Sequence, residues 1–240
     1  MAEAWLLNCL TRGEAFSRLM KKMFAFGAVL GVLAIFILRT TKENSLDAPG
    51  FTPVRDDAAA ARYAPSIMAG SSYGDPIAVY YRAAYSEGKL FITYHYLWEK
   101  EENPHPGFLP FLNRVLYTGG LGLQKTMFGP GDIEKVSVVV KDGLVETAGF
   151  ETAEGYNPAG FGVAHKPVVV SAMPPALRVM SWNHLFEAAP VAAEQTVRLK
   201  PEYFTEEKWN YYEMVKLKES FLSRSRAHEP YERIAAALEK

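Results

Sequence analysis

One cysteine, Cys9, stands in 240 residues, and it lies upstream of the most apolar segment, so no disulfide framework organises the rest of the chain. Charge of one sign is missing too. The 26 lysines and arginines against 27 aspartates and glutamates leave a net charge of −1, which provides no overall field to draw in nucleic acid. The compact catalytic signatures are absent: there is no G-x-S-x-G, no H-E-x-x-H, no Walker loop, no C-x-x-C and no Rossmann glycine pattern. Internal repeats are absent as well, and no low-complexity tract is longer than residues 58–61. What remains, 49% hydrophobic and 22% charged, is the composition of a folded protein.

The longest uncharged run is 23–38, sixteen residues from Met23 to Leu38. As a helix it extends about 24 Å at ~1.5 Å per residue, against a hydrocarbon core of ~30 Å. Lys21 and Lys22 on one side, and Arg39 and Lys42 on the other, reach the interfaces by snorkelling, while Thr40 and Thr41 lengthen the segment. A core helix of this length would show a polar face, and this run shows none. No small-x-small cleavage site follows Leu38, so an uncleaved transmembrane signal-anchor over 23–41 is expected. Arg12, Arg18, Lys21 and Lys22 place the tail 1–22 in the cytoplasm and the bulk of the chain outside it. Gly27 and Gly31 form a G-x-x-x-G that lets two such helices pack closely, as in a homodimer or a subunit of a membrane complex.

Beyond the span, ENSLDAPGFTPVRDDAAAA is broken by Pro49, Gly50 and Pro53 and reads as a linker over 42–62. Aromatic and β-branched runs then follow at short intervals. IAVYYRAA and LFITYHYLW are separated by YSEGK, and EKVSVVVKDGLVETAGFE holds an Asp142-Gly143 pair that suits a type I′ hairpin. HKPVVVSAM and QTVRLK supply two more strands and ALRVMSW a further one. An antiparallel β-sandwich over 63–200 is the expected fold. The long connection 99–131 contains FLPFLNRVLY, a short helix over one end of the sheet. After residue 200 the pattern turns helical: Thr205 caps a helix with Glu206 and Glu207 in its first turn, giving a helical appendage over 201–240.

Chemistry-bearing residues are densest in FITYHYLWEKEENPHP. On a strand, His95 and Glu99 share a face but lie about 13 Å apart at ~3.3 Å per residue, too far to hold one ion. His105 sits in the loop beyond them, and the three remain candidate binding residues. Asp132 and Glu134 are better placed, on one face at the start of a strand and roughly 7 Å apart by the same rise, a spacing that suits one hard cation such as Ca²⁺ or Mg²⁺.

The order RYAPSI, LFITYHYLW, a long loop, GDIEKVSVVV with its D-G hairpin, and HKPVVVSA resembles the superfamily of necrosis- and ethylene-inducing-like proteins and their vacuolar-sorting-associated relatives, over about residues 63–182. The resemblance implies an antiparallel β-sandwich. It also implies that Gly131, Asp132 and Glu134 occupy the G-D-W-E or H-D-W-E motif that helps hold a divalent cation in the toxins. Ile133 stands in place of the tryptophan, and no histidine precedes Asp132.

With no complete catalytic constellation, the expected protein is a membrane-anchored extracytoplasmic β-sandwich with a binding or envelope-structural role. The competing reading is a metal-dependent enzyme in which Asp132 and Glu134 hold the cation and His95 or His105 acts as general base.

Overall fold

A computed structural model describes residues 50–119, 124–125, 129–173, 176–189, 195–197 and 199–214, all within the unit Lys42–Lys240. The expected tail 1–22, the span 23–41 with Gly27 and Gly31, and the helical appendage beyond 214 lie outside the described residues. Among the described residues, no helix is long and apolar enough to cross a membrane.

The protein is mainly antiparallel β. Six strands run in spatial order: β1 (Thr52–Val54), β2 (Ala78–Ser86), β3 (Lys89–Trp98), β4 (Asp132–Lys141), β5 (Leu144–Glu154) and β6 (Ala164–Val170). A short β9 (Glu202–Tyr203) adds to β2 in parallel, and β7 (Ala176–Val179) with β8 (Phe186–Ala189) forms a separate two-stranded ribbon. Among the described residues the named helices are short: α1 (Asp57–Arg62), α2 (Phe108–Asn113), which runs into a π-helical turn (Arg114–Thr118), and α3 (Glu206–Tyr211).

Both central hairpins close on two-residue turns with positive φ. Asp142 (51°) and Gly143 (78°) meet the expectation, and Glu87 (49°) with Gly88 (73°) do the same in β2–β3, where a five-residue loop was expected. The linker expected over 42–62 is structured from Thr52: β1 pairs with β2 through Thr52↔Tyr85, and Asp56 caps α1 by accepting from the Ala59 amide at 2.8 Å. Pro53 lies within β1, an edge strand, a position where proline is tolerated. The described residues of QTVRLK form no strand; Thr196 makes a single bridge to Met68, and Val197 and Leu199 pack on the core. The region after residue 200 likewise begins as sheet, with β9, before α3 follows with Thr205 as its cap.

Strand β3 runs through the centre and is buried on both sides. Leu90, Ile92, Tyr94, Tyr96 and Trp98 join the larger core with Val136, Val138 and Val140, covered by Leu177, Val179 and Phe186 of the ribbon and by Ala60 and Ile67. Tyr94 and Tyr96 donate from their hydroxyls to the Ala60 and Pro65 carbonyls, at 2.8 and 2.9 Å, which fastens the 57–67 segment over this face. The opposite face is closed by Phe204, Trp209 and Met214 against Tyr80, Leu97 and Ile133. Burying two apolar faces instead of one explains why LFITYHYLW reads as a continuous apolar run.

Candidate metal centre

The connections 99–131 and 155–163 leave the same end of the sheet, and there the ladder forks. Pairing of β4 with β5 ends at Val136↔Phe150, whereas β3–β4 pairing continues to Trp98↔Asp132 and β5–β6 pairing to Glu154↔Ala164. Glu134 on β4 and Glu151 on β5 therefore lie just beyond the last β4–β5 pair. His165 enters from β6, and ligand atoms of Glu134, Glu151 and His165 all lie within 4.8 Å of one another. Glu134 is buried, and the other two are half-buried.

Hydrogen bonds fix the histidine. His165 Nδ1 lies 2.8 Å from Glu151 Oε2, and Nε2 lies 3.1 Å from Asn183 Nδ2. In this orientation the amide nitrogen of Asn183 only donates, so Nε2 accepts and Nδ1 carries the proton toward Glu151. In this orientation the Asn183 Oδ1 accepts from Ser181 Oγ at 2.7 Å, and that hydroxyl accepts from the Leu185 amide at 3.2 Å. The imidazole is thus neutral, the form in which histidine ligates metals.

Asp132, two residues from Glu134, belongs to a different arrangement. Its Oδ2 lies 2.6 Å from His184 Nδ1, and His184 Nε2 lies 3.0 Å from the Tyr73 carbonyl. A carbonyl only accepts, so Nε2 carries a proton, and a second proton is shared between Nδ1 and the carboxylate. His184 stacks on Trp98 with ring centroids 4.5 Å apart and planes 11° from parallel. Its backbone sits at φ 59°, in the left-handed region that costs a non-glycine residue about 1 kcal/mol or more. The turn bonds from His184 N to Ser181 O and from Met180 N to Leu185 O hold it there. Gly131, just before Asp132, has φ 72°, and a Cβ there would lie 2.6 Å from Leu97 Cδ1 and 2.9 Å from the Trp98 carbonyl. The glycine before the motif thus allows close packing against β3.

The other candidates lie apart from these carboxylates. His95 pairs with Lys135 in register and projects to the opposite face, fully buried, its ring centroid 5.0 Å from Phe204 and 5.6 Å from Trp209. Glu99 is exposed beyond the end of β3. His105 Nε2 lies 3.2 Å from the Tyr73 hydroxyl, which in turn accepts from Tyr156 at 3.0 Å. Burial, reinforced by that bond, holds the Tyr156 hydroxyl above the ordinary phenol range. His105 thus reaches the rim of the Asp132–His184 arrangement through Tyr73.

The two carboxylates expected to share one cation are thus directed to different partners. Glu151, His165, Asn183 and His184 were not singled out from the sequence. The available signal was positional: with GFE and HKP as antiparallel neighbours, Glu151 and His165 fall at the same end of both strands. No family model, curated protein or solved structure matches the chain.

Proposed function

We propose that this chain is a membrane-anchored, extracytoplasmic β-sandwich protein with a binding role, and that its binding centre takes a divalent cation between Glu134, Glu151 and His165. The observation that carries the reading is the convergence of two carboxylates and one oriented, neutral imidazole where β4 and β5 separate. Packing of the β7–β8 ribbon over one face of the larger sheet supports a sandwich, and the uncharged run 23–38 supports the anchor. The place of Glu134 in the resembled G-D-W-E motif supports the cation.

An imidazole nitrogen beside two carboxylates suits Zn²⁺ or Mn²⁺ better than the all-oxygen set expected for Ca²⁺ or Mg²⁺. His165 would hold such a cation through its neutral imidazole beside Glu134 and Glu151, with Asn183 as the outer partner that orients the ring. Binding is favoured over hydrolysis because the buried histidine next door, His184, directs both nitrogens at oxygen atoms and keeps no lone pair for a substrate proton.

Thermal unfolding of the full chain in detergent, in chelator and then in Zn²⁺, Mn²⁺, Ca²⁺ or Mg²⁺, tests the centre. Stabilisation by Zn²⁺ or Mn²⁺ that is lost in both Glu134→Gln and His165→Ala is expected; an unchanged melting temperature in all four ions overturns it. The anchor has its own test: Val29→Arg with Leu33→Arg moves the protein from the carbonate-resistant to the soluble fraction, and unaltered fractionation contradicts it.

A further inference from the structure

The same end of the sheet carries a surface that the cation centre does not explain. On α2 and the π-helical turn, Phe108, Leu109, Phe111 and Val115 are 74%, 46%, 54% and 41% exposed, and Phe161 on the 155–163 connection is 44% exposed. Single exposed apolar side chains are ordinary, whereas five on two adjoining segments form a patch. The segments do adjoin: Asn113 Nδ2 donates to the Phe161 carbonyl at 2.9 Å, and Asn103 Nδ2 donates to the Pro158 and Gly160 carbonyls at 3.3 and 3.2 Å. Arg114 donates to the Asn103 and His105 carbonyls, which clamps the loop before α2 to the turn after it. The platform is held by buried amides and a guanidinium, with its aromatic side chains turned out.

Its charge pattern names the occupant. Residues 103–131 contain no aspartate or glutamate, although the chain has 27, and their formal charges are Arg114 and Lys125. Residues 155–164 carry no charge at all. Aromatic and leucine side chains around Arg114, with the carboxylates of the 99–131 connection confined to Glu99, Glu101 and Glu102 at its start, suit the headgroup layer of a bilayer, where phenylalanine and leucine enter the acyl boundary and cations meet lipid phosphates. The ten residues 42–51, between the expected span and β1, reach at most about 35 Å when extended, so the platform stays within range of the membrane that anchors the chain.

We infer that the 104–118 segment, with Phe161, is a second membrane contact, which seats the loop end of the sheet on the lipid surface. The inference rests on the membrane placement proposed above and is independent of the cation.

Full-length protein carrying Cys9→Ser and Phe111→Cys, labelled with an environment-sensitive fluorophore, is reconstituted into phosphatidylcholine–phosphatidylglycerol vesicles containing nitroxide-labelled lipid. A control carries the label at Leu144→Cys, exposed at the opposite, hairpin end of the sheet. Quenching roughly threefold stronger at 111 than at 144 is expected for a side chain in the interfacial layer, and is abolished by Phe108→Asp, because a carboxylate resists entering it. Protein that floats with the vesicles while both labels remain equally unquenched overturns the platform and leaves the anchor standing. Protein that does not float overturns both. A label at 111 that is shielded from water, unquenched by lipid, and cross-linked to a second chain makes this face a protein interface and also overturns the inference.

Discussion

Two carboxylate–histidine pairs stand a few residues apart at one end of the sheet and differ in nearly everything except their chemistry. In Asp132–His184 the atoms are 2.6 Å apart and the side chains are 5% and 2% exposed; in Glu151–His165 they are 2.8 Å apart and 20% and 23% exposed. The partner of each second ring nitrogen separates them further. His184 faces a carbonyl and must donate, whereas His165 faces an amide NH₂ and accepts. The first histidine is thereby locked as a structural cross-link between β4, the β7–β8 turn and the segment before β2. The second is neutral, reachable and next to another carboxylate. Burial and the second nitrogen, more than the pair distance, divide a strut from a ligand.

The sharpest way to break this contrast is to truncate the buried pair. Asp132→Ala leaves a buried imidazole without its carboxylate, and is expected to cost about 3–5 kcal/mol by urea denaturation, the range for breaking a buried pair. His184→Ala belongs in the same range, since it strands the carboxylate and removes the ring stacked on Trp98. A loss below 1 kcal/mol for either would mean that the buried pair is no strut.

The cation comes next in size. A ligand at a hundred times its dissociation constant stabilises the folded state by about 2.7 kcal/mol, and this increment should vanish in His165→Ala while persisting in variants far from the fork such as Leu144→Ala. Asn183→Ala, which removes the group that orients His165, should weaken the affinity by about 10–100-fold, the usual effect of losing an outer partner of a metal-bound histidine. Equal Zn²⁺ affinity in wild type and Asn183→Ala, read by calorimetric titration, would detach the asparagine from the centre.

How much of this was legible beforehand follows from the range of each interaction. Period-2 alternation in LFITYHYLW assigned each side chain to its face, and both Gly-containing turns were visible, because these are local consequences of strand geometry and positive φ. β1 escaped notice because Pro49, Gly50 and Pro53 are the residues of a linker and of an edge strand alike. β8, the four residues FEAA, carries no alternation long enough to register. In the site, Asp132 and Glu134 were found by spacing along one strand, but their partners come from β5, β6 and a turn after β7. Spacing in one strand says nothing about where a ladder forks, and His184 owes its position to a left-handed turn that no local rule demanded.

Tyrosine hydroxyls carry the same contrast of burial to alkaline pH. Burial pushes the Tyr94 and Tyr96 hydroxyls well above the ordinary phenol value, with Tyr96 paired to Glu134 in register. A folded-state pKa raised above the unfolded one gives stability that is complete below the unfolded pKa of ~10 and declines as pH rises through the window above it. Each such tyrosine therefore contributes a fall of about 1.4 kcal/mol per pH unit above pH ~10. Tyr96→Phe should remove one such increment from the slope, at a cost of about 1 kcal/mol near neutrality for the lost bond to the Pro65 carbonyl. Chemical denaturation between pH 9 and 11 measures both, and an unchanged slope would mean that the hydroxyl ionises in the folded state.

The smallest effect is the most discriminating, because it asks the accessible pair to behave unlike the buried one. Glu151→Gln keeps the shape and an acceptor for His165 Nδ1 while removing the charge, and the pair is one-fifth exposed. Without divalent ions the substitution should therefore cost less than about 1 kcal/mol, as for partly solvated pairs. With Zn²⁺ present the gap between wild type and variant should widen by most of the cation's stabilisation, since a neutral amide is a poor ligand beside His165. If Glu151→Gln in chelator costs as much as Asp132→Ala, then both pairs are struts and the cation loses its centre. A small cost in chelator that Zn²⁺ enlarges assigns the strut to Asp132–His184 and the ligand to Glu151–His165, one on each side of the same two-residue step along β4.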